Sequence, residues 1–408
     1  MNMKILIVTS SYQKTETDKF TDFMYNMAQE FRRKGHEVLV VAAHYPGLPK
    51  KDMLKEIPVE RFRYFIPSKF EKLAYDSGMA VNMRKSHLAK LQLPLYMLSG
   101  TFAVMRAARK FRPDVVHSLW VFPQGLMCAI AKKFCKFPLV INAIGTEAYL
   151  AKKMKMGSMI KFAANTADAV TATSSATANA VKSCGYGKDI QIIFNGADDA
   201  LFNPGNSGAE IIKEHNLQNK KILLCIGRFN EMKGQRYLIE AMPEVLKKFP
   251  ETSLLLIGEG PLKEELQKYV QSQNLQNNII FLGNKAHEEL AKYYAACDIF
   301  IIPSIVDSHG VAEGGQGLVT KEAMLTGKCV IGANTGGIPD LVINNETGLL
   351  VEQKSPAQLS EAIIKLLSDD ALRARLSEAG HKMAKEKAAW SGICAEYEEI
   401  YRRIKKPD

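Results

Sequence analysis

Residues 221–235 read KILLCIGRFNEMKGQ. An apolar run, Ile222 to Ile226, is closed by Gly227. It is short enough to be a strand buried on both faces. A loop bearing Arg228 and Lys233 follows, and a helical pattern then occupies 234–248. Strand, loop and helix in that order form the unit of a parallel sheet covered on both sides. The same opening stands near the start of the chain as KILIVTS (4–10). There a helical pattern runs to about Lys34, Gly35 is the stop signal, and EVLVVAA (37–43) is the next strand.

The alternation extends outward from both starts. DVVHSLW (114–120), a helical stretch from about Gln124 and PLVINAI (138–144) continue the first series. SLLLIG (253–258), NIIFLG (278–283), DIFIIPS (298–304), CVIGAN (329–334) and GLLV (348–351) continue the second. Between the two series, NGADDALFNPGNSG (195–208) is crowded with turn formers. The fold expected is α/β, with two doubly wound domains over 1–195 and 196–390. A terminal helix, 391–408, is expected to pack back on the first domain. Ligands of such sheets bind beyond the carboxyl ends of strands, so the expected site is a cleft between the domains.

Composition excludes several classes. With 47% hydrophobic residues in a chain of 408, disorder is ruled out and two cores are affordable in size. The seven cysteines form no C-x-x-C pair, which argues against zinc or a disulfide framework and for a reducing compartment. The start, MNMKILIVTSSY, lacks a signal-peptide core. The longest uncharged apolar run, about Leu91 to Met105, is interrupted by Pro94 and is too short to span a bilayer. Net charge is +11, and it is lopsided. Residues 1–200 carry 29 Lys and Arg against 16 Asp and Glu, while 201–408 carry 25 against 27. Such asymmetry fits either an anionic partner or a well-solvated basic surface. Nucleic acid is a poor candidate, because aromatic platforms are not interleaved with the basic residues.

Four stretches carry candidate chemistry. In IGRFNEMKGQ (226–235), Gly227, Arg228 and Lys233 lie on a loop entering a helix, an arrangement able to hold a diphosphate. IGEGPLKEEL (257–266) offers a tight turn, Gly258, Gly260, Pro261 and Leu262, with Pro261 expected at the first helical position. In EGGQGLVTKEAM (313–324) a helix is expected from about Gly317. The first N–H groups of that helix, at Leu318 and Val319, can point at phosphate oxygens. Glu313 and Glu322 flank this phosphate site, and carboxylates accept hydrogen bonds from sugar diols. Taken alone, Glu322 reads equally as an exposed helix residue and Glu313 as an ordinary loop acid. NTGGIPDLV (334–342) repeats the glycine device one strand later.

The order GRFNEMKG (227–234), GEGPL (258–262), AACDIFIIPS (295–304), EGGQGLVTKEAMLTGKCVIGANTGGIPDLV (313–342) and NETGLLV (345–351) resembles the C-terminal half of retaining GT-B glycosyltransferases of the family-four group. RRKGHEVLVV (32–41), RPDVVHSLWVFPQGL (112–126), PLVINAIGTE (138–147) and IIFNGADDALFNP (192–204) resemble its N-terminal half more loosely. The resemblance implies two Rossmann-like domains facing across a cleft. It implies that Arg228 and Lys233 bind the donor diphosphate and stabilise the leaving group. It gives Glu322 the ribose, Glu313 the transferred sugar, and Gly317, Leu318 and Val319 the phosphate. The loop Gly258–Leu262 would contact the base. No cofactor and no metal are implied, since the cations stabilise the departing nucleotide.

The chain departs from the family pattern at several points. Eight residues separate Glu313 from Glu322 where the family has seven. In the family's D-x-x-H-x-H, His117 is kept but Leu119 stands at the second histidine. His117 is therefore either the catalytic histidine or a hydrogen-bonded core residue. Glu147 in IGTE (144–147) replaces an aspartate, SSYQKTETDKF (10–20) replaces a glycine pair, and Asp340 stands where glutamate is common. The function implied is transfer of a sugar, with retention, from a UDP or GDP sugar to a glycan, polysaccharide or lipid-linked acceptor. A cytoplasmic place, with peripheral contact to an anionic membrane, accompanies it. A catalytically degenerate partner subunit and a sugar-nucleotide epimerase are the alternatives.

Overall fold

The computed structural model describes residues 2–15, 22–75, 79–145, 156–308 and 310–405. The chain divides into two compact units. Unit 1 is Met1–Gly196 together with Trp390–Asp408, and unit 2 is Ala197–Ala389.

Unit 1 is built on an eight-stranded sheet. Its strands are β1 (Lys4–Val8), β2 (Glu37–Ala43), β3 (Lys51–Leu54), β4 (Ile57–Phe62), β5 (Val115–Leu119), β6 (Leu139–Ala143), β7 (Ala169–Ala172) and β8 (Gln191–Ile192). They lie in the order β3-β4-β2-β1-β5-β6-β7-β8. All neighbours pair parallel except β3 with β4. The helices of this unit are α1 (Asp22–Arg33), α2 (Met79–Lys85), α3 (His87–Phe111), α4 (Leu126–Cys135), α5 (Gly157–Thr166), α6 (Ser175–Ser183) and the C-terminal helix Trp390–Ile404.

The pleat explains why β1 is apolar at every position. Leu6 and Val8 join a core with residues of α3, α4, α5 and α6. Ile5 and Ile7 join a second core with α1 and the C-terminal helix. Successive side chains point to opposite faces, and both faces are covered. The β3–β4 hairpin turns at Lys55 and Glu56, whose φ angles are 41° and 67°. Helix α3 runs through Pro94, which therefore does not interrupt the apolar run as the sequence suggested. Pro94 faces outward. Among the described residues, no helix is long and apolar enough to cross a membrane.

Unit 2 holds a six-stranded parallel sheet. Its strands are β9 (Lys221–Ile226), β10 (Thr252–Ile257), β11 (Ile279–Phe281), β12 (Ile299–Ile302), β13 (Cys329–Ala333) and β14 (Leu349–Val351), in the order β11-β10-β9-β12-β13-β14. Its helices are α7 (Ala209–Glu214), α8 (Gln235–Lys248), α9 (Lys263–Ser272), α10 (His287–Ala296), α11 (Leu318–Leu325), α12 (Pro356–Ser368) and α13 (Asp370–Ala388). The strand order reverses between β9 and β12. A switch point of this kind opens a crevice at the carboxyl ends of the two strands, the usual ligand position in such sheets.

Candidate active site

A cavity of ≈ 500 Å³ opens in unit 2, lined at the ends of β9 and β10 by Ile226, Gly227, Arg228, Gly258 and Gly260 and from the side by Leu290. That volume suits a nucleoside-sized ligand. Its floor is backbone against backbone. A Cβ on Gly258 would sit 2.1 Å from the Gly227 carbonyl oxygen, and one on Gly260 2.3 Å from that of Phe229. Only glycine permits this approach. The turn after Gly260 closes as Leu262 N–H donates to the Phe229 carbonyl and Lys263 N–H to that of Gly260. Helix α9 consequently starts at Lys263, two residues beyond the expected Pro261.

The loop after β9 is held against the loop after β12. Ile305 N–H donates to the Met232 carbonyl at 2.8 Å. The buried Gln235 amide reaches back to the carbonyls of Gly227 and Arg228 at 3.4 and 3.3 Å. Asn230 caps the Lys233 N–H. This frame points the two cations differently. Arg228 is exposed at the cavity wall. Lys233 runs past Gly227 and its Nζ meets Glu313 Oε2 at 2.7 Å. Ser304, at the end of the β12 strand path, donates to the same oxygen at 3.4 Å. Despite the eight-residue spacing to Glu322, Glu313 thus lies beside Lys233. Its carboxylate sits with Lys233, both mostly buried at 15% and 17% side-chain exposure. The glycines of NTGG support it from behind: a Cβ on Gly336 would lie 2.0 Å from the Glu313 carbonyl oxygen. Gly317 precedes α11 with φ 76°. The first-turn N–H groups of α11, at Leu318 and Val319, have no acceptor within the helix.

Glu322 is not an exposed helix residue, for it retains 1% of its surface. His287 Nε2 donates to its Oε1 at 2.7 Å and the Tyr294 hydroxyl to its Oε2 at 2.8 Å. Phe202 packs edge-on against both rings. Glu322 therefore anchors α10, the helix that brings Leu290 to the cavity. Lys321, next along, is buried, and that burial pushes its ammonium down to about 7. Sequence reading missed His287, Tyr294, Gln235 and Ser304.

In unit 1, the surroundings of His117 bear on its two readings. It lies inside β5 with 0% exposure. Its Nδ1 and the Tyr401 hydroxyl share a hydrogen bond of 2.6 Å, and Tyr397 covers the ring at 4.6 Å between centroids. Nε2 finds no partner among the described residues. Burial pushes the imidazole down to about 3, so it is neutral. This packing favours the core reading of His117 over the catalytic one, because the ring is sealed from solvent. At the carboxyl end of β5 stands Trp120, with φ 73° and its ring edge-on to Phe23. Such a backbone angle is rare for a non-glycine residue and concentrates at functional positions. Glu147 and residues 16–20 of the SSYQKTETDKF segment lie outside the described residues.

Comparison with known proteins agrees with this geometry. Residues 208–383 match the profile of the glycosyl transferases group 1, and residues 22–201 that of glycosyltransferase family 4. The chain is 26% identical over 311 residues to the GDP-mannose-dependent α-(1-6)-phosphatidylinositol monomannoside mannosyltransferase of Mycobacterium tuberculosis, covering 75% of this chain and 81% of that one. It is 26% identical over 322 residues to the N-acetyl-α-D-glucosaminyl L-malate synthase of Bacillus anthracis, covering 78% and 82%. In structure it is similar to HepE of Anabaena, solved in complex with UDP, with a TM-score of 0.76 at 21% identity over 98% and 100% of the two chains. Two Rossmann-like units, the paired profile matches and the crevice at β9 and β12 place the chain among the glycosyltransferases of the family-four, GT-B group.

Proposed function

We propose that the protein moves a hexosyl group from a nucleoside-diphosphate sugar to a lipid-linked, polysaccharide or other glycan acceptor, with retention at the anomeric carbon and without a metal. The observation that carries this reading is the Arg228–Lys233 loop at the wall of the ≈ 500 Å³ cavity, with Glu313 2.7 Å from Lys233. The nucleoside fits the cavity. The diphosphate takes Arg228, the α11 start and Lys233, which stabilise charge as the nucleotide departs. Glu313, next to Lys233, then faces the transferred sugar. The name of one relative, a GDP-mannose-dependent phosphatidylinositol monomannoside mannosyltransferase, supports a sugar-nucleotide donor and a lipid acceptor. The basic N-terminal half suits peripheral contact with an anionic membrane at its cytoplasmic face.

The test is a thermal-shift panel with UDP, GDP, ADP and NAD. A one-site ligand at a hundred times its dissociation constant adds about 2.7 kcal/mol. One nucleoside diphosphate should stabilise the wild type, and the shift should shrink in Lys233→Ala. NMR of the product anomer then checks retention. No shift from any nucleoside diphosphate overturns the reading. The core position of His117 favours one second reading, a catalytically degenerate subunit that binds donor without turning it over. Release of nucleoside diphosphate from a stabilising donor excludes it.

A further inference from the structure

Helix α3 is apolar on the face it buries and also on much of the face it exposes. Ala89, Tyr96, Val104 and Ala108 pack into unit 1. Leu91, Leu95, Leu98 and Phe102 recur at helical spacing along the outer face, with exposures of 73%, 46%, 58% and 60%. A solvent-facing helix normally carries polar residues there. Phe70, also exposed, stands alongside, because the Gln92 amide of α3 donates to the Phe70 carbonyl at 2.6 Å. A contiguous exposed apolar stripe of this kind marks an interaction surface.

Charge indicates what covers it. The 25 residues of α3 contain no Asp or Glu. Exposed Lys90 lies at one end of the stripe, and Arg106, Arg109 and Lys110 at the other. Lys69 and Lys72 flank Phe70. Arg106 shares Glu60 at 3.1 Å, and its guanidinium remains two-thirds exposed. An apolar stripe framed by cations fits an anionic lipid surface: the side chains enter the headgroup boundary and the cations meet lipid phosphates. The helix is not a membrane span. It would lie in the plane of the interface.

We infer that α3 docks unit 1 on anionic lipid bilayers by inserting Leu91, Leu95, Leu98 and Phe102. The inference rests on the lipid-facing acceptor reading above and deepens it, by naming an apolar insertion where charge alone gives only attraction.

The experiment is co-sedimentation of the full chain with phosphatidylcholine vesicles and with vesicles containing phosphatidylglycerol, at low and high salt. Wild type should bind the anionic vesicles at least about tenfold better than the neutral ones. The four-residue variant Leu91→Gln, Leu95→Gln, Leu98→Gln, Phe102→Gln should lose at least about tenfold in binding to anionic vesicles. These side chains are exposed, so the variant keeps its fold, which its unchanged melting temperature verifies. A second variant, Leu98→Trp, should show a blue-shifted emission with anionic vesicles. Equal binding of wild type and the four-residue variant overturns the proposal, as does no binding at all. A dimer of the wild type that dissolves in the variant also overturns it, since the stripe then belongs to a second copy. Nucleotide shifts measured on the same proteins stay independent of lipid. Their loss would sink the donor reading and not this one.

Discussion

Strands β5 and β12 hold matching places in their sheets. Each lies beside the first strand of its unit, on the side away from the second. β5 contains one residue that sequence reading marked for chemistry and the loop after β12 contains another, yet the outcomes differ. His117 sits in the middle of β5 and is sealed by Tyr397 and Tyr401. Ser304 and Glu313 follow the end of β12 and meet Lys233 beside a cavity. A residue within a strand covered on both faces becomes core whatever its chemistry. One beyond the carboxyl end becomes available to a ligand.

The comparison breaks most easily at Lys233. Lys233→Ala should lower the transfer rate by about 10²–10³, the usual loss for one donor to a developing anion. Steady-state rates with the donor found above check it. If the Lys233–Glu313 pair is a bystander, the loss will be less than about tenfold.

The pH dependence of stability separates the two strands next. The His117 pKa is lowered from 6.5 to about 3, so between those values the unfolded chain binds a proton that the folded chain refuses. Stability is present in full above about 6.5 and falls as pH drops toward 3, by about 1.4 kcal/mol per pH unit. Urea midpoints from pH 7 to 4 should show the slope, and His117→Phe should flatten it. Lys321 in unit 2 acts in a higher window. Its folded value of about 7 lies below 10.5, so stability rises with pH from about 7 to 10.5, and Lys321→Met should remove that rise.

A smaller effect sharpens the role of Glu322. Tyr294→Phe leaves Oε2 of a buried carboxylate without its hydroxyl donor, and should cost about 1–3 kcal/mol in urea unfolding. Unchanged stability with weaker nucleotide binding would instead assign that oxygen to the ligand. The smallest effect expected is on catalysis in His117→Gln. The rate should stay within about tenfold, below the 10²–10⁴ that a positioned general base supplies.

Much of this was legible in the sequence because parallel strands buried on both faces are written as unbroken apolar runs. KILIV and KILLCI are such runs, and both became first strands. The β3–β4 hairpin was not legible. Its turn residues, Lys55 and Glu56, adopt positive φ without the glycine or asparagine that advertises such turns. Helix α3 was obscured by Pro94, which reads as a breaker but faces solvent within it. At the site, Arg228 and Lys233 could be read from one loop. The grip of His287 and Tyr294 on Glu322 spans 35 and 28 residues of chain, and no local spacing signals it. The burial of His117 was hidden for the same reason, since Tyr401 lies 284 residues away.

The C-terminal helix gives unit 1 a peculiar schedule. Unit 2 is one uninterrupted stretch, whereas unit 1 needs Trp390–Ile404 to cover the face of its sheet that holds Ile5, Ile7 and Val140. During synthesis the first 196 residues emerge long before that cover exists. Unit 2 can then complete its core while one face of the unit 1 sheet, packed by α1, still waits for the rest of its cover. Domains of large chains commonly fold in the order they leave the ribosome, first segment first. Here the order is inverted, and the segment made first is the last to be finished.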